Sequence, residues 1–257
     1  MSSFLSAQAR NVAELAASVS GYPIVVRSEP TLDVWSKARY PRPGESICLI
    51  TYHPAHAKFL DYLIAHESGH ICRFFSARPE DRMVPAADPS ALQKARRQVA
   101  GECWRLKHAI PKDMLSQFVG TRGSQLVQQL TNFPVDCRIE DWIYQNFESL
   151  RDVQVSALRE LYSTSLRCLE PKIRDWAPPS IYKRSNSMNY AMAKRIAKLV
   201  NEPGLVAPYL EKGLGEIGEK LDSYLAGEDL GHAGDLKAVD AWASELAIKQ
   251  WYRWLRV

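Results

Sequence analysis

Residues His66-Glu67-Ser68-Gly69-His70 form an HExxH pattern. On an α-helix, residues four apart sit one turn apart on one face, so His66 and His70 could hold one metal ion between their ring nitrogens. Glu67 is rotated by about 100° from His66, beside the metal but out of line with the two imidazoles. A carboxylate there suits a general base. A zinc ion lowers the pKa of water towards ~7, and Glu67 would take the proton as that water attacks a carbonyl. The pattern points to metal-assisted hydrolysis, usually of a peptide bond.

The surrounding residues predict the helix this chemistry needs. Leu60, Ile64, Ile71 and Phe75 recur at helical spacing, and Pro54 fits a helix start. Two histidines and a glutamate on so apolar a helix would be costly without partners.

A catalytic zinc usually takes three protein ligands and leaves one position open. The extended HExxHxxGxxH pattern is absent, since position 73 is Arg and position 76 is Ser. The best source of a third ligand is the segment Asn132 to Tyr144. Asp136, Glu140 and Tyr144 share one helical face there, beside an apolar face of Val135, Ile139, Trp142 and Ile143. Glu140 is the favoured ligand, because its side chain has the longer reach. Asp136 would then accept a ligating imidazole's N–H and fix its tautomer. The reverse assignment of the two acids stays open. Tyr144, Tyr190, Arg138, His108 and His232 are available to stabilise an oxyanion, and none carries a specific signal.

Composition narrows the classes. Apolar residues make up 46% and charged residues 24%, as in ordinary globular chains. The net charge of +4 is spread out, and the densest basic stretch, Lys94 to Arg97, is short, so it reads as a solvated helix face rather than a nucleic-acid surface. The five cysteines are widely spaced with no CxxC, which suggests reduced thiols in a cytoplasm. No apolar run is long enough for a membrane span. Met1 to Ser20 reads as an amphipathic helix rather than a secretion signal.

Along the chain, Tyr22–Arg27 reads as a strand with Pro23 suiting an edge. Residues 30–45, with Pro30, Pro41, Pro43 and Gly44, read as a loop. Glu45–Tyr52 reads as a second strand whose exposed edge could pair with a substrate peptide. Ser76–Ser90 reads as a surface loop. Helices are expected over Ala91–Ile110, Asp113–Leu130, Pro134–Phe147, Leu150–Leu169, Ser185–Val200, Leu210–Leu225 and Asp235–Arg256. The fold class is α+β and mostly helical: a small N-terminal sheet, the HExxH helix and a large helical remainder. Residues 1–170 would form the catalytic domain and 171–257 a helical extension.

The run Leu63-Ile64-Ala65-His66-Glu67-Ser68-Gly69-His70, preceded by a helix and two strands, resembles the zincin metallopeptidases of the gluzincin type, and in particular the start of bacterial ImmA/IrrE-like metallopeptidases. Arg138-Ile139-Glu140 resembles the later glutamate of that family. The resemblance covers residues 1–75 and 132–147 and implies Zn²⁺ on His66, His70 and Glu140, with Glu67 as base. It also implies a protein substrate, which in that family is a transcriptional repressor. The gap from His70 to Glu140 is longer than in compact ImmA-like domains. The expected function is a cytoplasmic zinc-dependent endopeptidase. The alternative is a non-hydrolytic zincin-like protein-interaction module, against which the presence of Glu67 argues.

Overall fold

The computed structural model describes residues 5–87, 89–103 and 111–257. In chain order its principal elements are α1 (Ala7–Ser20), β1 (Ile24–Ser28), β2 (Ser36–Arg39), β3 (Cys48–Tyr52), α2 (Leu60–Ser76), β4 (Met83–Ala86), α3 (Pro89–Val99), α4 (Lys112–Asn146), α5 (Arg151–Leu166), α6 (Pro171–Asp175), α7 (Pro179–Val200), α8 (Ala207–Leu210), α9 (Gly215–Ser223), α10 (Gly231–Glu245) and β5 (Arg253–Arg256). The class is α+β and mostly helical. Among the described residues, no helix is long and apolar enough to cross a membrane.

The chain divides into two compact units, and the division does not fall at residue 170. The first unit holds the residues up to Arg82, with Asp136–Arg159 and Leu230–Ala233. The second holds Met83–Val135, Glu160–Asp229 and Gly234–Val257. The expected split failed because β4 pairs antiparallel with β5, Met83 opposite Arg256, which ties the middle of the chain to its end.

In the first unit, α1 packs on α2 through Ala9, Ala13 and Ile64, with Leu5 beside them. Alanine at these positions lets the two helices approach closely. Ser6 caps α1 by accepting from the Ala9 amide, and its own N–H donates to Asp61 in the first turn of α2 at 3.1 Å. Gly21, at φ 75°, ends α1 in the left-handed conformation and turns the chain into β1. A 3₁₀ turn over Pro54–Phe59, capped by His53, leads into α2.

The sheet of this unit has the order β1–β3–β2. β3 is central, parallel to β1 with Ile24 opposite Cys48, and antiparallel to β2 with Ala38 opposite Ile50. Cys48 and Ile50 are fully buried, and α2 packs against β2 and β3. Two expectations are corrected here. Residues 36–39 form a strand inside the expected loop, and β3 has no open edge for a substrate, because β1 and β2 occupy both sides. β1 and β2 are the edge strands.

In the second unit, α7 packs on α9, and Trp242, Trp251 and Tyr209 are fully buried. β4 and β5 lie within segments expected to be loop and helix respectively. The long helix α4 runs through Pro134 without a break, where two helices were expected. Proline removes one backbone bond, but the turns on either side keep theirs. From Asp136 onward, α4 belongs to the first unit. The expected helix after Ala91 ends at Val99, and its residues 104–110, including His108, lie outside the described residues.

Candidate metal centre

α2 presents Tyr62, His66 and His70 at four-residue steps along one face. The last turns of α4 lie against it. At Gly69 an added Cβ would stand 2.8 Å from Ile139 Cγ2. Ile139 is fully buried, so glycine is what lets the two helices meet. That approach brings Asp136 and Glu140 to the two histidines.

The Nε2 atoms of His66 and His70 are 3.2 Å apart. Asp136 Oδ1 lies 3.1 Å from His70 Nε2 and 3.6 Å from His66 Nε2. A tetrahedral zinc with bonds of about 2.0–2.2 Å spaces its ligand atoms by about 3.3–3.5 Å. The three atoms stand near that spacing. Asp136 Oδ1 is buried and no hydrogen bond of good geometry satisfies it, so its charge is met only by the two ring nitrogens it faces. Two imidazoles and a carboxylate are a donor set that suits zinc.

Glu140 takes the other role. Its Oε1 is 2.8 Å from His66 Nδ1 and accepts from the Tyr62 hydroxyl at 2.7 Å. Its Oε2 accepts from Gln154 Nε2 at 2.7 Å, and the same amide donates to the Glu140 carbonyl at 2.9 Å. The Glu140 side chain is 2% exposed, against 15–19% for His66, His70 and Asp136. The expectation that Glu140 would join the two nitrogens is therefore corrected. Asp136 joins them, and Glu140 backs His66 from the opposite ring nitrogen. With the helices so close at Gly69, the shorter side chain suffices. Glu140, one turn further on, reaches Nδ1 instead.

Glu67 is 6% exposed and points to the sheet. Its Oε1 accepts from Ser36 Oγ at 2.6 Å and its Oε2 from the Ala38 amide at 2.6 Å. Both donors come from β2, the unexpected strand. The His53 N–H donates to Trp35 O, so alternation turns the Ala38 N–H to the free side of β2, where Glu67 meets it.

Charge in the centre is strongly coupled. Burial alone would lower the His66 pKa, but the carboxylates of Asp136 and Glu140 outweigh it and hold the pKa well above the ordinary histidine value. Burial alone would raise the Asp136 pKa, yet His66 and His70 pull it down to about 2. Burial, reinforced by Glu140, pushes the Tyr62 hydroxyl well above its usual pKa, so it stays a donor.

No protein-family model, curated protein or solved structure matches this chain.

Of the residues predicted from sequence, the structure brings together His66, His70, Asp136 and Glu140, with Glu67 on the adjoining side of α2. Tyr190 bonds Glu219 in the second unit, and His232 packs its ring against Phe74 at 5.4 Å. Tyr62, Gln154 and Ser36 were missed. Tyr62 carried a signal, one turn before His66 on the same face. Gln154 and Ser36 come from elements whose placement only the tertiary structure reveals.

Proposed function

We propose that this protein is a zinc-dependent hydrolase of peptide bonds, with His66, His70 and Asp136 as the metal ligands. The observation that carries this reading is the trio of ligand atoms spaced 3.1–3.6 Å apart and turned toward one another, with a buried carboxylate oxygen that lacks a hydrogen bond. A bound zinc supplies a Lewis acid and brings the pKa of water towards ~7.

The chain's own residues do the rest. Glu67 accepts the proton of the attacking water and passes it to the leaving amine. Ser36 and the Ala38 amide hold both its oxygens, and each oxygen keeps lone-pair capacity for that proton. Glu140 fixes the ring of His66. The substrate lies extended beside β2, because β3 is closed on both sides and β2 is the edge strand that borders Glu67, whose carboxylate already holds the Ala38 N–H. Its class is a protein or peptide, and the five free thiols support a cytoplasmic setting.

The test is incubation of the zinc-loaded chain with a mixed peptide library and mass spectrometry of new termini. Wild type should cleave, and Glu67→Gln should retain zinc and lose about 10²–10⁴-fold in rate. Zinc binding with no cleavage by wild type would contradict the hydrolase reading and favour a non-hydrolytic interaction module.

A further inference from the structure

Glu140 is held more completely than any acceptor of a histidine proton requires. Tyr62 and Gln154 both donate to its carboxylate, so together with His66 it takes hydrogen bonds from three side chains. Tyr62 is 2% exposed and Gln154 is fully buried. Gln154 also leaves its own Oε1 buried without a partner. A buried amide oxygen without a donor is unfavourable, and turning the amide over would put that oxygen against the Glu140 carboxylate. Its arrangement serves Glu140 at its own expense. The second donation, to the Glu140 carbonyl, fixes the amide to the backbone of α4 as well as to the carboxylate.

We propose that Tyr62 and Gln154 are positioning residues for the metal: they clamp Glu140 so that His66 donates from Nδ1 and presents its Nε2 lone pair toward His70 and Asp136. The inference rests on the reading that these three residues hold zinc. His66 has two ring nitrogens of similar basicity, and only the one left unprotonated can bind. An unclamped Glu140 would have rotamer freedom and could leave Nδ1. The clamp removes that freedom before metal arrives. Tyr62 and Gln154 come from different elements, α2 and α5, so Glu140 on α4 is fixed from two sides.

The test is zinc affinity, by competition with a chromophoric chelator, for wild type, Tyr62→Phe, Gln154→Met and Glu140→Gln, with hydrogen exchange of the His66 Nδ1–H followed by NMR in the zinc-loaded protein. Each clamp variant should bind zinc about 10-fold more weakly, towards the ~10–100-fold range of lost outer-shell partners, and should exchange the Nδ1–H faster than wild type. A purely structural role would change the unfolding midpoint while leaving affinity and exchange as in wild type, and that result would overturn the inference. Tyr62→Phe removes one oxygen and keeps the ring, so it decides the matter even if Gln154→Met does not fold. Failure of wild type itself to take up zinc would overturn the metal reading, and this inference with it. Zinc bound tightly by wild type and equally by the clamp variants would overturn the inference alone.

Discussion

Replacing Gly69 with alanine should damage the centre without touching a ligand. The added Cβ would meet Ile139 Cγ2 at 2.8 Å, Cγ1 at 3.2 Å and Cδ1 at 3.4 Å. Comfortable carbon contacts lie at about 3.5–4.0 Å, so α2 and α4 would have to part by roughly 0.5–1 Å. Ile139 cannot easily turn away, because it is fully buried and β-branched. Overpacking of this kind costs about 1–3 kcal/mol, while alanine in place of glycine in a helix returns about 0.8–1 kcal/mol. The expected net loss is on the order of 1 kcal/mol. The larger effect is on metal. Asp136 rides on α4 and the histidines on α2, and a metal site tolerates bond errors of only about 0.2 Å. Zinc affinity should therefore fall at least about 10-fold. Urea unfolding of the metal-free chain and chelator competition measure the two effects. The partner variant is Ile139→Ala, which removes all three crowded atoms. In that background Gly69→Ala should become stabilising by about 0.5–1 kcal/mol, through helix propensity alone. Equal stabilisation in both backgrounds, with zinc affinity unchanged, would refute the close approach at Gly69 as the device that sets ligand spacing.

Other consequences are as direct. Ser36→Ala should leave zinc content unchanged and slow hydrolysis about 10-fold, because Glu67 loses one of its two anchors; unaltered cleavage would show that the Ala38 amide alone positions it. In the metal-free chain, Asp136 stabilises the fold above its ordinary pKa of 3.8, and this contribution, about 2 kcal/mol, is lost as pH falls through about 2. Asp136→Asn should abolish that acid limb in denaturant titrations. His66 has a raised pKa, so its contribution to metal-free stability is full below pH 6.5 and is lost as pH rises through the raised value. Zinc must displace the same proton, so zinc affinity should increase with pH across neutrality, with at least one proton released per ion in calorimetry in two buffers.

Parts of this arrangement were legible in the sequence and parts were not, for identifiable reasons. The HExxH helix and β3 announce themselves, the first by helical apolar spacing and the second by the short apolar run Ile47-Cys48-Leu49-Ile50. β2 does not, because Ser36-Lys37-Ala38-Arg39 has no apolar alternation and is a strand by pairing with β3. Asp136 and Glu140 could be placed on one face but not assigned, since the assignment depends on how closely two helices approach at Gly69. The end of α10 was hidden too. Ala247, at φ 53°, takes the left-handed position that glycine usually marks, and Ile248 N–H bonds Ala243 O behind it, releasing the chain into β5.

Zinc content of the wild-type chain beside its His70→Ala, Asp136→Ala and Glu140→Ala variants tests the centre most directly. About one zinc per wild-type chain is expected. It should be lost in His70→Ala and Asp136→Ala, and kept at saturating metal in Glu140→Ala, whose affinity falls about 10–100-fold. Zinc retained by Asp136→Ala and lost by Glu140→Ala would contradict the assignment of the two acids, and no uptake by wild type would contradict the metal centre itself.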